Sequence, residues 1–200
     1  MKFKVLAGAL LFILSFGAFA QHDHGQTQAK PPADPAMEAM MKAATPGDAH
    51  KLLNHMTGTF TAKMTMWMKP GEEPMVVEGT SESKWVMGGR YVEQRFSSNF
   101  MGMPYEGLGY TGYDNVKKQY WGTWMDNMST SMMTSTGGTN DGGKSWSFTA
   151  SMADPMTGKD SRVEEKITIA DADHQTFEMW GAGPDGKMFK TMEIVYTRKK

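Results

Sequence analysis

The clearest structural signal in the chain is the run Gly58-Thr59-Phe60-Thr61-Ala62-Lys63-Met64-Thr65-Met66-Trp67-Met68. Within it, apolar residues at every second position, from Phe60 to Met68, alternate with mostly polar ones. Because successive side chains of a β-strand point to opposite faces, this period of two predicts a strand with one apolar face. That face carries several methionines, and the whole chain holds 21 methionines in 200 residues. The sequence therefore predicts a sheet whose buried face is rich in flexible thioether side chains.

Further strand-like runs, separated by turn residues, follow this strand to the end of the chain. They cover residues 75–84, 90–97, 105–112, 119–126, 128–135, 145–152, 162–169, 175–180 and 188–199, with turn signals such as Gly88-Gly89, Gly137-Gly138, Asn140-Asp141-Gly142-Gly143 and Pro184-Asp185-Gly186 between them. Hairpin-length connections favour antiparallel neighbours, and closing such a sheet removes its unpaired edges. We therefore expect an all-β fold, an antiparallel up-and-down barrel of about ten strands.

The alternation also indicates what this barrel contains. Four sets of residues share a face within their strands: Trp146, Phe148, Ala150 and Met152; Val163, Ile167 and Ile169; Phe177 and Met179; and Met188, Met192, Ile194 and Tyr196. We expect these methionines and rings to point inward. A barrel of this size is either filled by its own side chains or leaves room for one small apolar ligand, and both outcomes fit the pattern.

Residues 1–33 indicate export. Lys2 and Lys4 precede an apolar run over 5–16, and Ala18-Phe19-Ala20 fits a signal-peptidase site. We expect a signal peptide at 1–20 with cleavage near Ala20, a polar disordered arm at 21–33, and a periplasmic or secreted mature protein. The apolar run is too short for a membrane span, so we expect no stable membrane insertion.

Two short helices are predicted over 34–56, ahead of a barrel domain over 57–200. Asp34-Pro35 resembles an N-cap followed by the first helical residue, with an apolar stripe at Met37, Met40 and Met41. A second helix start follows at 45–48.

Composition excludes several function classes. The chain has no cysteine, which excludes disulfides, cysteine nucleophiles and an N-terminal lipid on a cysteine. Its formal net charge is −1, and removal of Lys2 and Lys4 with a signal peptide lowers it further, so we expect no nucleic-acid partner. No histidine pair has the spacing of a zinc site, and we expect no cofactor.

Several spaced motifs carry a family resemblance. They are His50-Lys51-Leu52-Leu53, Gly88-Gly89-Arg90-Tyr91, Met101-Gly102-Met103-Pro104-Tyr105-Glu106-Gly107, Gly112-Tyr113-Asp114-Asn115, Trp121-Gly122-Thr123-Trp124-Met125-Asp126, Asp154-Pro155-Met156-Thr157-Gly158-Lys159 and Met192-Glu193-Ile194-Val195-Tyr196 with Arg198. This pattern resembles the bacterial family catalogued as domain of unknown function 1579, over about 37–199. It is also distantly similar to the calycin, or lipocalin-like, barrels. That resemblance implies a basic residue, here Arg198, closing the base near an aromatic residue of the first strand, here Phe60.

The run Gly107-Leu108-Gly109-Tyr110-Thr111-Gly112 matches a dinucleotide-binding fingerprint letter by letter. That fingerprint requires a helix after the glycines, whereas Tyr113-Asp114-Asn115 and a further strand follow here. We instead expect glycines that let the sheet bend or let a cross-strand ring lie over the backbone.

The leading function hypothesis is an exported barrel that binds a small apolar or amphipathic molecule. Its candidate ligand-binding residues are Met64, Met66, Arg95, Trp124, Asp126, Met152, Met179 and Tyr196. In this hypothesis the apolar side chains line the cavity, Asp126 faces inward with Arg90 or Arg95 as its counter-charge, and Asp126, Arg95 and Tyr196 orient a polar end of the ligand.

Two other hypotheses stay open. One is copper handling or methionine-based oxidant buffering, for which Met64, Met66 and Met68 are the candidate soft ligands, with His22 and His24 on the polar arm as a separate candidate pair. The other is an enzyme that uses an inward-facing carboxylate, Asp126 or Glu178, although no nucleophile arrangement supports a specific reaction. We assign no catalytic residue and no metal site from the sequence.

Overall fold

A computed structural model describes residues 34–154 and 157–200. Within them, ten antiparallel strands form a closed barrel, in which each strand pairs with its neighbours in sequence and β1 pairs with β10. The strands are β1 Gly58–Met66, β2 Met75–Val86, β3 Tyr91–Phe100, β4 Met103–Asp114, β5 Gln119–Asp126, β6 Met133–Gly138, β7 Ser145–Ala153, β8 Asp160–Ile169, β9 His174–Ala182 and β10 Met188–Arg198. The predicted all-β up-and-down barrel is confirmed. The predicted signal peptide, polar arm and histidine pair lie outside the described residues.

Short helices precede the barrel, as predicted: α1 Pro35–Ala44, α2 Asp48–Lys51 and a 3₁₀ turn Leu52–Met56. The Asp34 side chain accepts a hydrogen bond from the Ala36 N–H and caps α1, whose first residue is proline. All of α1 is exposed, including its methionine stripe. Among residues 34–154 and 157–200, every helix lacks the length and apolar character of a membrane-spanning segment.

The 3₁₀ turn fills one end of the barrel, which we call the base. Leu53 is completely buried among Val92, Tyr120, Trp146 and Phe148. The Tyr120 hydroxyl donates to the Ala49 carbonyl at 2.8 Å, which ties the helical segment to the sheet. The base is therefore a packed aromatic core.

Arg198 closes the base where the first and last strands meet. Its Nη1 donates to the Thr57 carbonyl at 2.7 Å and its Nε to the Ala172 carbonyl at 2.8 Å. The guanidinium carbon lies 4.5 Å from the centre of the Phe60 ring. This is the arrangement that the calycin resemblance implies.

The alternation predicted for β1 and β7 is confirmed. Phe60, Ala62 and Met64 are buried, and so are Trp146, Phe148 and Ala150, while the residues between them face outward.

On β10 the alternation fails before Met192. A β-bulge shifts the register between Lys190 and Met192, so that Phe189 takes the inward position and Met188 faces outward. The expectation that Met188 faces the interior was therefore wrong.

The strand predicted at 128–135 begins later, as β6 Met133–Gly138. Asp126 accepts a hydrogen bond from the Met128 N–H, which turns the chain away from the sheet at 127–132. Gly137, predicted as part of a turn, lies within β6, where a Cβ atom would collide with the β7 backbone at Ser147 and Phe148. The glycine permits close backbone approach.

The glycines of β4 have the role expected from the sequence. A Cβ atom at Gly107 or Gly109 would overlap the Trp124 ring, because that ring lies flat across the inner face of β4. Gly112, on the outer face, makes room for Trp121 and Tyr91. The cross-strand ring interpretation is confirmed.

Candidate functional site

A cavity of about 310 Å³ occupies the barrel above the base core. Apolar side chains from most strands line it, including Met64, Val92, Phe96, Trp124, Phe148, Met152, Ile167, Phe177, Met179, Met192, Ile194 and Tyr196. The loop 127–132 adds Ser129 and Ser131 at the end opposite the base, which we call the mouth. This volume lies at the lower end of the range for small-molecule pockets, about 300–1,000 Å³.

Methionines form a continuous row along one wall. Met66 of β1 pairs in register with Met75 of β2 and Met192 of β10, and Met192 pairs with Met179 of β9. Side chains of directly paired residues lie on the same face, with Cβ atoms about 4.5–5.5 Å apart. Four thioether side chains on neighbouring strands therefore share the inner surface at one level.

Asp126 ends β5 at the mouth and holds a small hydrogen-bond network. Its Oδ2 accepts from the Tyr105 hydroxyl at 3.1 Å and from Trp124 Nε1 at 3.3 Å, while Oδ1 accepts from the Met128 N–H at 3.0 Å. Burial, together with the nearby Asp126 carboxylate, raises the pKa of Tyr105 to about 12. The tyrosine therefore stays a donor at neutral pH and helps to hold the carboxylate in place.

Glu165 places a second carboxyl group inside the barrel, on β8. It is 8% exposed and hydrogen-bonds with the Ser135 side chain. Burial raises the pKa of the Glu165 carboxyl, and the bond with Ser135 opposes that increase. This residue was missed by the sequence interpretation, although it stands between Val163 and Ile167 in the inward register.

Tyr196 and Gln94 form a third polar contact in the cavity wall. The Tyr196 side chain hydrogen-bonds with Gln94, whose amide also donates to the Ser81 hydroxyl at 2.9 Å. Burial raises the pKa of Tyr196 well above that of a free phenol. These uncharged polar groups, like the carboxyl groups of Asp126 and Glu165, interrupt a mainly apolar wall.

Most of the candidate ligand-binding residues meet at this cavity. Met64, Trp124, Asp126, Met152, Met179 and Tyr196 line it, and Met66 packs against the same core from the methionine row.

Three other candidates lie elsewhere. Arg95 is exposed on the outer face, where its Nε donates to Glu93 at 3.0 Å, so it is not the counter-charge of Asp126. Arg90 donates to the Met87 carbonyl instead. Met68 lies beyond the end of β1 and is 73% exposed.

Glu178, the other enzyme candidate, faces outward. Its carboxylate forms an ion pair with Lys190 Nζ at 2.5 Å, and the same amine contacts Glu193 at 2.6 Å. The β10 bulge places Lys190 beside both carboxylates. Glu178 is thus part of an ion-pair cluster outside the cavity.

The fold and the cavity define a class: closed up-and-down β-barrels with a mainly apolar interior cavity. Within it, the chain belongs to the family described as "Protein of unknown function (DUF1579)", whose model matches residues 45–198. Comparison with curated proteins finds no match.

Solved barrels resemble this one in fold. The crystal structure of Rv2717c from M. tuberculosis matches with a TM-score of 0.59 and 13% identity, over 78% of this chain and 100% of that one. A redesigned β-barrel, mFAP1, bound to DFHBI, matches with a TM-score of 0.39 and 14% identity, over 76% of this chain and 100% of that one. The first similarity supports the barrel architecture.

Proposed function

We propose that this chain is an exported binding protein that holds one small apolar or amphipathic molecule inside its barrel. The observation that carries the proposal is the cavity of about 310 Å³, enclosed by the sheet and lined mainly by apolar side chains. Removing apolar surface from water stabilises a complex by about 25 cal/mol per Å². The signal-like segment at 1–20 supports a site of action in the periplasm or outside the cell.

A neutral lipophilic fluorophore such as Nile red tests this function. We expect saturable binding of one dye per protein, with enhanced emission on transfer into the cavity. Met192→Trp adds a large ring to the lining and should weaken dye binding at least tenfold. Met188→Trp is the matched control, because the bulge places this methionine of the same strand outside the barrel.

Two results would contradict the proposal. One is the absence of saturable binding by the folded protein, and the other is equal binding by the two tryptophan variants. Native mass spectrometry of protein purified from its own periplasm should in addition show a co-purifying small molecule.

The methionine row favours a second candidate function, copper handling. Thioethers are soft ligands that suit Cu(I), but alternate residues of one strand stand too far apart to share an ion. The structure supplies convergence from neighbouring strands instead, through Met66, Met192 and Met179. Met68 has no part in this site.

Competition with a chromophoric Cu(I) chelator tests the copper site. Combined replacement of Met66, Met179 and Met192 by leucine conserves side-chain volume and removes the sulfur atoms. We expect the protein to withdraw one Cu(I) ion from the chelator and the triple variant to lose this ability. Leucine at the three exposed methionines of α1 provides the control, and equal Cu(I) binding by both variants would reject the site.

A further inference from the structure

The ionisable groups of the cavity other than tyrosine are all acids. Among the described residues that line it, the ionisable acids other than tyrosine are Asp126 and Glu165, and none is lysine, arginine or histidine. No lysine or arginine of residues 34–154 or 157–200 forms an ion pair with either carboxyl group. The interior is therefore acidic without an internal cation.

Three cations, Lys84 of β2, Arg95 of β3 and Lys190 of β10, are paired with other acids on the outer face. Arg95 and Lys84 approach Glu93 at 3.0 and 3.9 Å. Lys190 lies between Glu178 and Glu193. Because these three cations lie on the outside of the sheet, they do not neutralise the carboxyl groups of the cavity.

Asp126 is held in place and keeps acceptor capacity. Three donors, from Tyr105, Trp124 and Met128, fix its carboxylate. An ionised carboxylate has about four lone-pair sites, so one remains for a ligand. Trp124 Nε1 donates to this carboxylate, so the carboxylate lies at the edge of the indole, while the ring itself lies over Gly107 and Gly109.

Glu165 reinforces the same preference from deeper in the barrel. A buried carboxylate without a cation is costly, and a positive ligand nearby would favour its charged form. An anionic ligand would instead add a like charge to the same low-dielectric space. Fatty acids and other anionic amphiphiles are thus poorly matched to this interior.

We propose that the ligand is a cationic amphiphile, an organic amine whose ammonium group lies at Asp126 and whose apolar body contacts the methionines and rings of the cavity. This inference rests on the proposed function and specifies its ligand class. The amine donates a charge-assisted hydrogen bond to the Asp126 carboxylate. The thioether side chains adapt to an apolar body of variable shape.

Three probes with the same eight-carbon chain test the class: octylamine, octanol and octanoate, each titrated against the protein with bound Nile red at pH 7. We expect octylamine to displace the dye at concentrations at least tenfold lower than octanoate, with octanol between them. Asp126→Asn, which removes the charge and keeps an acceptor oxygen, should reduce the amine-to-alcohol preference about tenfold. Glu164→Gln is the matched control, since this exposed acid pairs with Arg162 outside the barrel.

The outcomes separate the ligand class from the binding function. If the three probes displace the dye equally well, or if octanoate is preferred, the cationic class is overturned while the binding function stands. An amine preference that Asp126→Asn leaves intact overturns the placement of the ammonium group. If Nile red itself fails to bind in a saturable manner, the proposed function fails with it.

Discussion

Replacement of Arg198 by alanine should destabilise the barrel much more than removal of an exposed surface arginine. The guanidinium joins three segments: the end of the 3₁₀ turn through the Thr57 carbonyl, the β8–β9 connection through the Ala172 carbonyl, and β1 through the Phe60 ring. Its side chain is 28% exposed, so water replaces these contacts only in part.

The magnitude follows from the geometry. The two bonds at 2.7 and 2.8 Å each contribute about 1.5 kcal/mol, the low end for a charged donor that is partly exposed. The cation–π contact adds about 0.5–1 kcal/mol, and the ion pair with Asp173 at 3.6 Å adds little because both groups reach solvent. Arg198→Ala should therefore lower the free energy of unfolding by about 3.5–4 kcal/mol.

Urea unfolding followed by circular dichroism measures this loss as a lower midpoint with an unchanged slope. Arg198→Lys keeps the charge but not the planar guanidinium that reaches two carbonyls, so this variant should lose about half as much free energy of unfolding as Arg198→Ala. Arg162→Ala removes an exposed arginine paired with Glu164 and should cost less than about 1 kcal/mol. If Arg198→Ala costs no more than Arg162→Ala, the base contacts do not stabilise the closure as argued.

The remaining predictions concern the interior. Gly109→Ala would place a Cβ atom 2.8 Å from the Trp124 ring, so it should lower the free energy of unfolding by about 1–3 kcal/mol and change tryptophan emission. Gly138→Ala makes only an ordinary contact and should lower the free energy of unfolding by less than about 0.5 kcal/mol. Burial raises the pKa of Glu165 in the folded protein above its value of 4.5 in the unfolded chain. The contribution of Glu165 to stability therefore falls as pH rises above 4.5, and Glu165→Gln should stabilise the protein more at pH 7.5 than at pH 4. The pKa of Tyr105 is raised to about 12, so stability should fall as pH rises from about 10 through 12, and Tyr105→Phe should lessen that loss.

Each of these expectations has a clear contrary result in urea unfolding curves. Equal costs for the two glycine substitutions would mean that the tryptophan ring is free to move. A Glu165→Gln variant whose stability difference from the parent protein is constant between pH 4 and 7.5 would mean that this carboxyl is not desolvated. An unchanged alkaline loss in Tyr105→Phe would assign that loss to other tyrosines.

The architecture was largely predictable because it depends on local patterns. Alternation identified the inner faces of β1 and β7, and turn residues placed most of the hairpins. The pattern failed at Met188, because an extra residue in a bulge reverses every side chain on one side of it without a signal in composition. The strand predicted at 128–135 was wrong over residues 128–132, which form a loop after Asp126.

The candidate site was predictable only in part. The direction of a charged side chain depends on its position in the strand register, and not on where an ion-pair partner for it is expected. Arg95 was expected inside as a counter-charge, yet its neighbour Phe96 occupies the inward position and Arg95 faces solvent. Glu165 occupies an inward position among apolar residues, and strict alternation on β8 would have identified it. Parity predicted the side-chain directions within β1 and β7 correctly, and it failed at the bulge of β10.

Whether the barrel contains a cavity depends on the volumes of the inward-facing side chains that several strands place at the same height in the barrel. Trp146 and Phe148 fill the base from β7, but the next inward residue of that strand is Ala150. Thr111 of β4 and Ser135 of β6 line the cavity where larger residues would close it. With small residues at this level, the side chains around the cavity lack the dispersion contacts that larger neighbours would supply. The cavity therefore lowers the stability of the barrel. Under the proposed function, a bound molecule would restore those contacts.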